Sequence, residues 1–229
     1  MKNISQVVGI LIVVMINMAC GDQPAQTKGP GEDSGKAAEP ADTLAKTERM
    51  IVFFGNSLTA GYGLDPSQAF PALIQAKIDS ASLGYKVVNA GVSGETTAGG
   101  NSRIDWILNQ PLSIFILELG GNDGLRGIPI SETRKNLQSI IEKVKRKYPS
   151  AKIILAGMQI PPNMGVKYTR EFREVYSDLA TKNQVGLIPF ILQGVGGEAS
   201  LNQRDGIHPT EEGHRIVAEN VWEVLKKEL

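Results

Sequence analysis

From residue 50 onward the chain alternates short apolar runs with longer segments whose apolar positions recur every three or four residues. The runs are Met50–Phe54, Lys86–Val88, Ile114–Leu119, Ile153–Ala156 and Gly186–Ile188. Nearly continuous Ile, Val, Leu and Phe predicts strands covered on both faces, as in a parallel sheet. The periodic segments Gln68–Ala81, Ala98–Leu108, Ser131–Lys147, Thr169–Asn183 and Glu211–Lys227 predict helices. The third of these closes on basic residues and is followed by Pro149, a strong stop. Alternation of strand and helix predicts an α/β fold with a parallel sheet and crossover helices. Asn163 and Gly165 within Gln159–Lys167 predict a loop, as do the glycines of Gln193–Gly206. There is no internal repeat.

The N-terminal part breaks this pattern. Lys2, the apolar run Val7–Ile16 and then Asn17-Met-Ala-Cys20 read as a secretory signal. The run is too short to span a bilayer comfortably. Cys20 is the only cysteine, so no intrachain disulfide can form. A lone cysteine closing a signal peptide resembles a bacterial lipoprotein lipobox, although Asn17 stands where an aliphatic residue is usual. That resemblance implies lipid attachment at Cys20 and an exported protein held on a cell-envelope membrane, on its periplasmic or surface face. The alternative is an ordinary secretory signal with an incidental cysteine. Residues 21–48 are rich in Gly, Pro, Ala, Asp, Glu and Lys, with Leu44 the only large aliphatic side chain. Such a stretch cannot bury enough apolar surface to offset its chain entropy and is expected to be a disordered tether, about 30 Å in typical span. The remaining residues, 49–229, suit one compact domain. The chain carries 24 Lys and Arg against 24 Asp and Glu, so its net charge is zero. With no basic stripe, nucleic acid is not an expected partner.

The candidate chemistry lies at the carboxyl ends of the strands. Ile51-Val-Phe-Phe-Gly-Asn-Ser57-Leu-Thr-Ala-Gly-Tyr-Gly63 reads as a buried strand that stops at Gly55 and delivers Ser57 into a glycine-rich turn. Open α/β sheets place their ligands at that end, and such a turn leaves backbone N–H groups free to hold an oxyanion. The second strand leads into Asn89-Ala-Gly91-Val-Ser-Gly-Glu-Thr, and the third into Glu118-Leu-Gly-Gly-Asn122-Asp-Gly. Each loop alone is compatible with ordinary turn chemistry. Downstream, Asp205-Gly-Ile-His208-Pro supplies a carboxylate and an imidazole three residues apart. A nucleophile, a base and an orienting acid are therefore available together.

Taken together, these blocks resemble the GDSL or SGNH hydrolase superfamily, whose four letters correspond here to Ser57, Gly91, Asn122 and His208. Gly91-Val-Ser-Gly-Glu-Thr-Thr-Ala-Gly-Gly, Glu118-Leu-Gly-Gly-Asn-Asp-Gly-Leu-Arg-Gly and Asp205-Gly-Ile-His-Pro are similar to its thioesterase, arylesterase and lysophospholipase branch. The likeness runs in unbroken order from about Met50 to the C-terminus. It implies a three-layer α/β/α sandwich with a five-stranded parallel sheet, flavodoxin-like in order. It further implies a catalytic set of Ser57, Asp205 and His208, and an oxyanion hole of the Ser57 and Gly91 N–H groups with the Asn122 amide. Asn56 departs from the family Asp before the serine. That Asp stabilises the turn by resemblance, and Asn can accept the same local hydrogen bonds.

The implied reaction is acyl transfer: His208 takes the Ser57 proton, Asp205 orients the imidazole, and water releases the acyl group from an ester or thioester substrate. No cofactor is required, and two His with one Cys offer no zinc cluster. His214 follows Glu211 at the same interval as His208 follows Asp205. Thr210 is a good N-cap, and Glu211 and Glu212 suit a first helical turn, so His214 is expected inside the last helix and part exposed. Leu125, Ile128, Ile160, Pro161, Pro162 and Met164 lie in loops near the site and favour acyl chains, unless they merely cap the core. Three other readings compete: a nucleotide-phosphate cradle, a carbohydrate deacetylase on this fold, and a non-catalytic binding lipoprotein. The first lacks G-x-x-x-x-G-K-[ST] and any G-x-G-x-x-G opening the first helix, and has Asn89 where a dinucleotide fold carries an acid. An intact Ser57, Asn122, Asp205 and His208 set argues against the last. Oligomeric state is not encoded in these patterns.

Overall fold

Five strands form one parallel sheet in the structure, a computed structural model. It describes residues 49–229, so the expectations for the signal peptide, Cys20 and the tether lie outside the described residues. The strands are β1 (Arg49–Gly55), β2 (Tyr85–Gly91), β3 (Ile114–Glu118), β4 (Lys152–Ala156) and β5 (Gly186–Ile188), in the order β2-β1-β3-β4-β5. The helices are α1 (Ser57–Ala60), α2 (Phe70–Ser80), α3 (Thr97–Ile107), α4 (Gly121–Leu125), α5 (Ile130–Lys147), α6 (Val166–Asn183) and α7 (Glu211–Leu225). On one side α2 packs on α7; α3 and α6 both pack on α5.

The central strands are apolar on both faces because both are covered. Phe53 meets Phe70 of α2 edge-on at 5.5 Å. Its neighbour Phe54 points the other way, to Phe115 of β3 and under the Arg103 guanidinium of α3. This is the two-residue alternation of a strand. Strand β2 is longer than its apolar run predicts. It is an edge strand and only half-buried, so Lys86 and Asn89 can sit in it without leaving water. The helices bury stripes at helical spacing; α5 buries Thr133, Leu137, Ile140, Ile141 and Val144.

Helix starts differ from expectation for local reasons. Asp65 caps a separate 3-10 turn, Pro66–Gln68, and Ala69 is extended, so α2 begins at Phe70 with a proline in its first turn. Helix α6 begins at Val166, three residues earlier than its periodicity predicts, directly after Gly165 at φ 92°. The expected loop at 159–167 therefore shortens. Helices α1 and α4 are not predicted by the hydrophobic pattern, since four or five residues are too few to show a period.

The sheet order reverses at β1: the chain leaves for β2 on one side and returns to β3 on the other. Ligands in open α/β sheets bind at the carboxyl ends beside such a switch. Gly55, the last residue of β1, is in register with Gly91 of β2 and Glu118 of β3. Three loops thus leave the sheet at one level.

Candidate active site

Ser57 opens α1, immediately after β1. The Asn56 side-chain oxygen accepts from the Leu58 N–H at 2.9 Å and caps the helix. Helix α1 ends after one turn because Gly61 turns left-handed at φ 74°. It lies hard against the sheet: a Cβ on Gly91 would sit 2.3 Å from the Ala60 nitrogen. Glycine at 91 is therefore a condition for holding Ser57 in this place.

The other two members come from a loop. Gln203 N–H donates to the His208 carbonyl at 2.7 Å, and Asn202 and Pro209 form a bridge that closes residues 203–208 into a tight excursion. Inside it, Asp205 accepts from the N–H groups of Ile207 and His208 at 2.9 and 3.0 Å. Its second oxygen lies 2.7 Å from His208 Nδ1. The bond from the His208 ring, then those from the His208 and Ile207 backbones, hold the Asp205 carboxyl down at about 2. An ionised Asp205 assigns the proton of a neutral imidazole to Nδ1. Nε2 is then an acceptor, and it lies 2.9 Å from Ser57 Oγ. The Tyr62 ring lies against the imidazole, tilted by 39° with 4.5 Å between ring centres, and its carbonyl is held by Gln203 Nε2 at 2.7 Å. A hydroxyl so placed can lose its proton as it attacks a carbonyl carbon.

Asn122 is the second residue of α4 and faces the same space as Ser57 and His208. One of its amide hydrogens goes to the Glu95 carbonyl at 2.9 Å; an amide nitrogen carries two, so one remains for a ligand. Gly91 stands behind α1, and its N–H is directed to the Asn89 side-chain oxygen at 3.0 Å. Gly91 is not among the residues that line the space in front of Ser57.

Ser57, Asn122 and His208 open onto a cavity of about 430 Å³. Leu125, Ile160 and Pro161 line it as expected, joined by Met158, Phe190 and Leu192. Ile128 and Met164 are not among its walls; Met164 packs against the core, and the Ile128 carbonyl accepts from Tyr168.

Several supporting residues carry no signal in the sequence. Glu118 is buried beneath the turn, where its carboxylate accepts from Asn56 and Thr59. Burial pushes its carboxyl up to about 7, against those hydrogen bonds. Arg103 pairs with Glu95 at 2.5 Å and donates to the carbonyl of Ala90 at 2.8 Å, linking the second loop to α3. Asp123, next to Asn122, is buried and accepts from the Thr97 N–H at 2.9 Å. Each is an ordinary surface-type residue by composition; only the register of the strand ends shows that they converge.

One expectation is corrected. His214 is not part exposed: it is 1% exposed, and its Nδ1 accepts from the Phe70 N–H at 3.1 Å. It falls on the face of α7 that packs on α2, which the position of the helix start alone does not reveal.

A family model for the GDSL-like lipase/acylhydrolase family matches residues 53–216. The chain is similar to Esterase TesA of Pseudomonas aeruginosa, 41% identical over 80% of this chain and 91% of that protein. It is also similar to Thioesterase 1/protease 1/lysophospholipase L1 of Escherichia coli, 37% identical over 80% of this chain and 82% of that protein. Among solved structures, TesA superposes with a TM-score of 0.76 at 40% identity, covering 79% of this chain and all of that one.

Proposed function

The chain belongs to the GDSL-like lipase/acylhydrolase family, and on that footing we propose that it is a serine esterase cleaving carboxylic esters and thioesters through an acyl-enzyme on Ser57. The observation that carries this is the unbroken line from Asp205 through His208 to Ser57, at 2.7 and 2.9 Å, at the mouth of an apolar cavity. Ser57 Oγ bonds to the substrate carbonyl carbon while His208 Nε2 takes its proton. Collapse of the tetrahedral intermediate breaks the bond to the leaving oxygen or sulfur, which receives that proton. Water, deprotonated by His208, then releases the acid. The oxyanion is held by the Ser57 N–H and the free hydrogen of the Asn122 amide.

The cavity walls favour an acyl chain over a sugar. Similarity to a protein named thioesterase and lysophospholipase supports acyl thioesters and lysophospholipids as substrates of this chain too. A panel of p-nitrophenyl esters, acyl-CoAs and lysophospholipids, run with wild type and Ser57→Ala, tests both levels. Turnover of medium or long acyl groups that vanishes in Ser57→Ala is expected. Activity confined to acetyl groups on carbohydrate would replace this with the deacetylase reading. Persistent turnover in purified Ser57→Ala would remove the nucleophile.

Location is proposed on sequence alone. Cys20 becomes the lipid-bearing N-terminus, and residues 21–48 tether the enzyme to a cell-envelope membrane. Stable anchoring needs more than one acyl chain. Palmitate labelling of wild type that is lost in Cys20→Ala is expected; equal labelling, or none in either, rules the anchor out.

A further inference from the structure

We propose that Asn56 and Glu118 are a matched pair that positions the Ser57 turn, with the Glu118 carboxylate orienting the Asn56 amide and that amide orienting α1. The inference rests on the serine-esterase reading and concerns how the nucleophile is held.

Glu118 is 1% exposed and ends β3, in register with the last residue of β1. Its Oε1 accepts from Asn56 Nδ2 at 2.8 Å. Its Oε2 accepts from the Asn56 N–H at 3.2 Å and from Thr59 Oγ1 at 2.8 Å. Three donors, all from the segment that carries Ser57, converge on one carboxylate. They also decide which way the Asn56 amide faces: nitrogen to Glu118, oxygen to the Leu58 N–H. The amide therefore links the buried carboxylate to the Leu58 N–H in the first turn of α1, the turn that carries Ser57. Asn56 itself is 2% exposed, so water does not offer it other partners.

The family places Asp where this chain has Asn56. An Asp carboxylate there would put an oxygen in the place of Nδ2, 2.8 Å from Glu118 Oε1. Two carboxylates that close, out of water, must share one proton. The Asn removes that requirement, so the turn in this chain is held by a donor that does not titrate.

The charged and titratable neighbours do not supply a substitute. Tyr176 of α6 donates to the Leu119 carbonyl at 3.0 Å, and its hydroxyl is held well above its ordinary value by burial and then by the Glu118 charge. Asp123 of α4 is committed to Thr97 and Thr133. Arg103 of α3 is paired with Glu95, and its reach toward Glu118 ends at the Gly55 carbonyl, 3.4 Å away. His208 lies beyond Ser57.

The test compares Asn56→Asp, Glu118→Gln and the double variant, each as a ratio to wild type at the same pH from 8 to 10, above the value of about 7 to which burial raises Glu118, so that the wild-type carboxylate stays ionised throughout. The readouts are the rate of Ser57 labelling by a fluorophosphonate, and kcat and KM for a soluble p-nitrophenyl ester. For Asn56→Asp the ratio in labelling and kcat should fall by about 10-fold or more as pH rises, as the shared proton is lost, with KM within about 2-fold. Glu118→Gln sets an amide nitrogen against the Asn56 N–H and should be slow at every pH. In the double variant the amide introduced at position 118 can donate to the carboxylate introduced at position 56, so the ratio should recover and become flat. A flat Asn56→Asp ratio, or a double variant that falls as far as the single one, overturns the pair. If Asn56→Asp does not fold, folding of the double variant decides: rescue supports the pair and failure overturns it. A wild type that takes no label at Ser57 overturns the esterase reading and the pair with it.

Discussion

The loop at 203–209 and the first turns of α7 each contain an acid followed three residues later by a histidine, and they use it in opposite ways. In the loop, Asp205 folds back onto His208 and leaves the far ring nitrogen facing Ser57. In the helix, Glu211 turns outward to Gln68 and Arg215, while His214 points into the α2 interface and accepts a backbone N–H. Helical geometry sets residues three apart on one face, yet His214 is bonded elsewhere. Spacing alone does not make an acid–base pair. The loop backbone does, because it lets Asp205 accept the N–H of His208 and its ring together.

The sharpest way to break this contrast is to remove each imidazole. His208→Ala should cost on the order of 10⁴- to 10⁶-fold in kcat, measured on a soluble ester. His214→Ala should keep most of its kcat and lose stability. A dead, folded His214→Ala with an active His208→Ala would reverse the assignment. Next in size is Asp205→Asn, which retains the shape but donates where the carboxylate accepted; a loss on the order of 10⁴-fold in kcat is expected. A loss under about 10-fold would mean the imidazole is oriented without Asp205.

How much of this contrast can be read in the chain follows from which forces are local. The apolar runs locate all five strands because burial on both faces leaves a continuous signature. Ser57 and Asn122 stand out because small polar residues after strands carry a positional meaning, and Asp205 and His208 because an acid and an imidazole three residues apart lie in the loop before the last helix. The burial of His214 is not legible, since it depends on the angle at which α7 meets α2. Glu118 is silent because nothing in Ile-Leu-Glu-Leu says that its side chain lies under the next loop; only the register of β1 with β3 does. The Gly91 N–H is assigned to the oxyanion by resemblance without its Asn89 partner, a side-chain bond within the same strand end.

A smaller effect is expected at Asn122. Asn122→Ala removes one oxyanion donor and should lower kcat by about 10²- to 10³-fold with little change in KM. A large rise in KM at intact kcat would make it a ground-state binder instead.

The smallest effect concerns stability and its dependence on pH. Burial, with a lesser contribution from the His208 charge, lowers His214 to about 4 from 6.5. The unfolded chain then binds a proton that the native state refuses, so this contribution is complete above pH 6.5 and is lost as pH falls toward 4. It is worth about 3 kcal/mol, or roughly 5–10 °C in Tm. Glu118 runs the other way: raised to about 7 from 4.5, it stabilises fully below 4.5 and loses its contribution as pH rises through 7. His214→Asn should therefore flatten the acid limb of the Tm profile. An unchanged acid limb would show that His214 does not set it.

The central claim is that the 203–209 loop, not the helix after it, activates Ser57. Its most direct test is time-resolved mass spectrometry of fluorophosphonate-treated wild type, His208→Ala and His214→Ala. One adduct is expected, on Ser57, forming at similar rates in wild type and His214→Ala and about 10³-fold or more slower in His208→Ala. An adduct on another residue, or His208→Ala labelled as fast as wild type, would contradict it.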